Sequence, residues 1–139
     1  MAPAAPGYSG KSLVDKLGVK PGHRIALIDA PSEFPAGLGP LPDGVEVAGE
    51  RAKELDLILF FADRAHTLEK KMPLAIGRLV QAGMLWIAWP KKSSGVTTDI
   101  TEDVVRRIAL PLGVVDVKVC AITDVWSGLK LVRRLKNRS

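Results

Sequence analysis

Residues 91–99, Lys-Lys-Ser-Ser-Gly-Val-Thr-Thr-Asp, place two ammonium groups, several hydroxyls and a glycine just ahead of a helix start. A helix N-terminus carries partial positive charge and unpaired amides, so such a segment can hold a phosphate or a carboxylate. Lys91, Lys92, Ser93, Ser94, Thr98 and Asp99 are therefore candidate binding residues for a small anionic ligand. Three further candidates fall at turns. Asp29 closes the first apolar run, and Trp126 and Ser127 sit at a hairpin tip, where an indole either packs over the sheet edge or stacks on a ligand.

Other chemistry finds little support. Asp99, Thr101, Glu102 and Asp103 have the composition of a capped helix start rather than of a metal site, because acidic residues in a first turn complement the helix dipole. His23 and His66 have no second histidine or cysteine at ligand spacing, so no metal is expected. No serine lies in a Gly-x-Ser-x-Gly elbow, and no Gly-x-x-x-x-Gly-Lys loop occurs. The only cysteine, Cys120, reads as a small buried hydrophobe and allows no internal disulfide.

The elements that must position these residues follow from hydrophobic spacing. Residues 9–17 read as a short helix capped by Ser9 or Ser12 and closed by Gly18. Residues 24–28 form a first buried strand, 45–48 a weak one, and 55–62 a continuous apolar strand of the kind buried on both faces of a parallel sheet. Prolines and glycines punctuate 32–44, which predicts a loop with at most one helical turn. Over 65–81, apolar residues recur at helical spacing, and Pro73 is expected to split the segment into two short helices, with Gly83 ending it. Residues 84–89 form the next strand, with Trp86 and Trp89 in the core. A helix starts at Thr101 with an Ile100–Val105 staple, or at Asp99, and runs to about Leu110. The alternating run 115–122 predicts a half-exposed edge strand, paired through a turn with 129–133 as an antiparallel hairpin.

Charge is distributed unevenly along the chain. All 15 acidic residues lie at or before Asp124, where they cancel the basic ones; the net +5 comes from Lys130, Arg133, Arg134, Lys136 and Arg138. The body is neutral and the end is basic. A basic tail can sit on nucleic acid phosphates, but it is also a common way of keeping a chain end solvated, so nucleic acid is not the expected partner. Residues 1–8, rich in Ala and Pro, lack the basic and apolar regions of a secretory signal and read as a disordered leader; 9–135 form one domain and 136–139 a basic tail. No apolar stretch approaches a membrane span, and a cytoplasmic location is expected.

Strands alternating with helices and closed by an antiparallel hairpin predict a three-layer Rossmann-like α/β sandwich with a mostly parallel sheet. The order of elements from Asp56 to Val132, and the phrase Lys20-Pro21-Gly22-His23-Arg24-Ile25-Ala26-Leu27-Ile28-Asp29, resemble the methyltransferase fold that uses S-adenosylmethionine. That resemblance implies a glycine-rich turn after the first strand and an acidic residue at the end of the second. This chain has Asp29-Ala30-Pro31-Ser32-Glu33-Phe34 at the first place, and the second strand runs into Gly49 and Glu50. Proline cannot take the positive φ that glycine supplies, so no cofactor is expected.

Over residues 7–134 the chain also resembles a small bacterial family classed as a domain of unknown function. The motifs are Gly7-Tyr8-Ser9-Gly10-Lys11, Trp89-Pro90-Lys91-Lys92, the run from Thr98 to Arg106, the run from Val115 to Ala121, and Trp126-Ser127-Gly128-Leu129. This second resemblance implies no particular activity. The leading expectation is a noncatalytic domain that binds a small anionic ligand or a protein partner at the carboxyl edge of the sheet. The alternatives are a diverged methyltransferase-like enzyme using S-adenosylmethionine, and nucleic-acid binding through the basic C-terminal end.

Overall fold

Apolar runs too short for helices and bounded by turn residues become strands when both of their faces can be covered. In the computed structural model, which describes residues 12–49 and 51–134, this happens four times in parallel. β1 (Arg24–Ile28), β2 (Glu46–Val47), β3 (Leu55–Phe61) and β4 (Leu79–Pro90) run the same way, and β5 (Val114–Ala121) and β6 (Trp126–Arg133) complete a six-stranded sheet of order β2-β1-β3-β4-β6-β5. β6 is antiparallel to both β4 and β5, giving the C-terminal hairpin anticipated from the alternating pattern.

Strand residues alternate between two cores because successive side chains point to opposite faces. On one face Ile28, Phe60, Ile87 and Leu129 pack under α2 (Ala65–Gly77) and α3 (Glu102–Ala109), which contribute Leu68, Met72, Val105 and Ala109. On the other, Leu59, Phe61, Trp86 and Ala88 are covered by α1 (Leu13–Leu17) and by Phe34 and Leu38 of the β1–β2 connection. α1 is capped by the Ser12 hydroxyl and closed by Gly18 in the left-handed conformation, φ 88°. The Trp86 indole donates to the Leu17 carbonyl at 2.9 Å, which fixes α1 to the sheet.

Three expectations are corrected. α2 is one helix that passes through Pro73, not two short ones. Pro73 and Glu69 both lie on the exposed face, so the Glu69 carbonyl that loses its helical partner can be met by water. β4 begins at Leu79 rather than Met84, because Leu79 pairs with Leu55 and the ladder resumes only at Leu57 and Met84. Gly83 lies inside that bulge and does not end a helix; a Cβ on it would stand 2.9 Å from Leu79 Cδ2.

The basic end is also less free than a tail. Arg133 donates to the carbonyls of Val80 at 2.6 Å and Ile76 at 2.7 Å, and to those of Leu79 and Gln81 at 3.3 Å. Arg134 reaches the Leu110 carbonyl. The expected leader at 1–8 and basic tail at 136–139 lie outside the described residues. Among the described residues, no helix is long and apolar enough to cross a membrane.

Candidate functional site

Because β1, β3 and β4 are parallel, their C-terminal tips share one rim, and β6, running back from it, starts there. Pro90 pairs with Trp126, and the Lys91 amide donates to the Val125 carbonyl at 2.7 Å, so Lys91 and the hairpin tip are neighbours. The Trp126 ring turns inward. It meets Phe61 edge-on, centroids 5.0 Å apart, and Phe61 in turn packs on Phe34 at 4.9 Å. Ser127 lies in the ladder between Trp89 and Ala121.

The segment after β4 does two separate jobs. Residues 92–94 form a single 3-10 turn in which Ser94 Oγ donates to the Lys91 carbonyl at 2.6 Å and accepts from the Val96 amide, while Lys92 and Ser93 are exposed. Further on, Thr98 Oγ1 donates to the Asp63 carbonyl at 2.7 Å, and Asp99 Oδ1 accepts from the Ala65 amide at 2.7 Å. Asp99 thus caps the start of α2, a different helix from the one it precedes, and Thr101 caps α3 by accepting from Val104. Thr98 and Asp99 clamp the β3–α2 turn. Asp99→Ala is expected to cost about 1 kcal/mol of stability, as N-cap losses do, measured by urea denaturation; an unchanged midpoint would show that the clamp contributes nothing.

A cleft of about 300 Å³ opens on the α1 side of the rim. It is lined by Leu13 and Lys16 of α1, by Gly37 of the β1–β2 connection, by Lys91 after β4, and by residues 121–124 at the β5–β6 turn. Thr123 Oγ1 accepts from the amides of Val125 and Trp126, both at 3.1 Å, which leaves its hydroxyl proton for another acceptor. Of these residues only Lys91 stood out in sequence. Lys16 and residues 121–124 were missed because α1 reaches the β5–β6 turn only in three dimensions, and no local spacing reports that.

The second part of the rim lies between the tips of β1 and β3, where the chain direction of the crossovers reverses. Asp29 has a left-handed backbone, φ 53°, and its carboxylate pairs with Lys71 of α2 at 2.7 Å. Asp63 and Arg64 follow β3 and are exposed. Open α/β sheets place ligands at such a switch point. Cys120 is half-buried; burial pushes its thiol up, against a smaller opposing pull from Lys16 and Lys118, so it is a poor nucleophile at neutral pH. Among the described residues, no three histidine, cysteine or carboxylate side chains gather as metal ligands.

No family model matches the chain, and no curated protein matches it. The likeness to a small bacterial family therefore rests on its motifs alone. Solved structures do match. The chain is similar to the fibrillarin pre-rRNA processing protein of Methanococcus jannaschii, with TM-score 0.62 and 14% identity over 83% of this chain and 68% of that one. It is similar to magnesium protoporphyrin IX methyltransferase of Synechocystis with bound S-adenosylmethionine, TM-score 0.59, 9% identity, covering 88% and 74%. It is also similar to an S-adenosylmethionine-dependent methyltransferase of Aquifex aeolicus, TM-score 0.55, 15% identity, covering 86% of each. At these identities the fold alone is shared. The expectation of a noncatalytic binding domain is corrected by these likenesses, which favour the methyltransferase-like alternative.

Proposed function

We propose that this chain is a diverged methyltransferase-like enzyme that uses S-adenosylmethionine, with the donor at the β1–β3 switch point. The observation that carries this reading is the sheet order β2-β1-β3-β4-β6-β5 with its reversed β6, superimposable on solved methyltransferases. The switch point offers two carboxylates among cations: Asp29 would exchange its Lys71 partner for the donor, and Arg64 follows Asp63. S-Adenosylmethionine brings a sulfonium, an ammonium and a ribose diol, and carboxylates complement all three. Asp29 and Asp63, at the ends of neighbouring strands, supply two.

What the turn lacks is glycine: Ala30 and Pro31 keep the backbone from approaching as closely, so side chains take over the grip. Asp29 adds a second line of support. A non-glycine residue held at positive φ costs about 1 kcal/mol or more and persists where the surroundings over-determine it, which is common at ligand sites. Lys71 pairs with the Asp29 carboxylate. When bound, the donor supplies an electrophilic methyl group. Asp29 and Asp63 would bind and orient it, while Phe34, Phe61 and Trp126 pack together in the α1-side core under the same rim. The expectation of no cofactor followed from the missing glycine turn and from the missing acidic residue at the end of the second strand, and is set aside in this reading.

The test is isothermal titration calorimetry with S-adenosylmethionine. Saturable binding is expected, weakened about tenfold, or about 1.4 kcal/mol, by Asp29→Ala. Absence of heat up to the solubility of the donor, with folding intact by circular dichroism, would contradict the proposal.

A further inference from the structure

The cleft between α1 and the β5–β6 turn is separate from the switch point but opens on the same rim, and its chemistry is specific. Lys16 of α1 and Lys91 after β4 both line it, Thr123 lines it with a hydroxyl proton not used by its two amide partners, and Asp124 is the one carboxylate among its lining residues. Leu13, Ala121 and Ile122 give it an apolar side. The surrounding field is positive as well. Lys118 and Lys130 stand opposite each other across β5 and β6, and Lys118 Nζ donates to the Lys16 carbonyl at 3.3 Å. Directly opposed like charges destabilise a sheet, and a nearby anion relieves them. Burial, with Lys118 alongside, holds the Lys130 ammonium below the usual lysine range.

We propose that this cleft binds the acceptor substrate, and that the acceptor is a small amphiphilic anion: a carboxylate or phosphate monoester with a short apolar or aromatic body. The assignment rests on the methyltransferase reading and adds the substrate class to it. At about 300 Å³ the cleft is at the small end of ligand pockets, which fits a single-ring molecule better than a peptide or nucleotide chain. The anionic head lies between Lys16 and Lys91, and the body rests on Leu13 and Ile122. Because the two lysines come from distant segments, both must be in place for the head to be held from two sides.

Titration of ¹⁵N-labelled protein with benzoate, with phenyl phosphate and with neutral benzamide tests it. Benzoate or phenyl phosphate is expected to move the amides of Gly37, Thr123 and Asp124 saturably; which of the two binds more tightly distinguishes a carboxylate from a phosphate head. A variant carrying Lys16→Gln and Lys91→Gln is expected to bind at least tenfold more weakly with its spectrum otherwise preserved. Benzamide binding as tightly as benzoate, shifts confined to other residues, or full affinity in the double variant would each overturn the proposal. Calorimetry with S-adenosylmethionine on the same samples separates the two readings. Donor binding without benzoate or phenyl phosphate binding refutes only the acceptor assignment, whereas anion binding without donor binding leaves the cleft an anion site and refutes the methyltransferase reading together with the acceptor role.

Discussion

Trp86→Ala is expected to lower the unfolding free energy by about 4 kcal/mol, in line with large-to-small aromatic replacements in cores. Trp86 is fully buried in the middle of β4 and packs on the α1-side core. Its indole is also the donor that holds the last turn of α1, through the Leu17 carbonyl at 2.9 Å. The substitution therefore opens a cavity and leaves a buried carbonyl without a partner, two costs that add. Trp86→Phe keeps most of the volume and loses only the donor, so a smaller loss of about 2 kcal/mol is expected. Urea denaturation monitored by circular dichroism measures both. Equal losses in the two variants would show that volume is unimportant, and a loss under 1 kcal/mol for alanine would refute the packing account. The effect reaches the rim, because α1 carries Leu13 and Lys16 of the cleft.

Arg133→Ala is expected to cost about 3 kcal/mol, the upper end for hydrogen bonds made by a charged group. The guanidinium gathers carbonyls from the end of α2 and the start of β4, four in all within 3.3 Å. A cation at a helix C-terminus also complements the dipole. Lysine cannot span the same acceptors with one ammonium, so Arg133→Lys is expected to recover less than half of the loss. Hydrogen exchange should show the damage concentrated in α2, with global protection falling by the same free energy. A loss within 0.5 kcal/mol of zero, the range of ordinary surface substitutions, would contradict the anchoring role. Since α2 also carries Lys71, which pairs with Asp29, the anchor indirectly supports the switch point.

Much of this architecture could be read from local pattern. β1 coincides with the apolar run 24–28, β3 is the charge-poor run after Glu54, and α1 and α3 start at the serine and threonine whose hydroxyls cap them. Local pattern failed where a distant partner decides. Pro73 stays inside a helix because the Glu69 carbonyl it leaves unpaired lies on the exposed face, and Leu79 becomes strand because Leu55 offers it a ladder. Asp99 looked like an alternative cap for α3 and instead caps α2 across the rim. Arg133 looked like part of a solvated tail and is instead the clamp on α2.

The candidate site was legible in outline only. Placing Lys91 and Trp126 on one rim required only the direction of the strands, and their neighbouring positions agree with it. The role of each side chain was not legible. Trp126 packs on Phe61, and Thr98 and Asp99 serve the β3–α2 turn. The place of Lys16 at the cleft depends on how α1 docks. Asp29 was marked by its place after β1, but its left-handed backbone and its pairing with Lys71 emerge only in three dimensions.

The central claim is that the donor sits between the tips of β1 and β3. Amide chemical-shift mapping with S-adenosylmethionine tests it most directly. The account predicts saturable shifts at Asp29, Ala30, Asp63 and Arg64, lost in Asp29→Ala; a spectrum unmoved at those four residues, or shifts gathered only along the basic residues of β6, would contradict it.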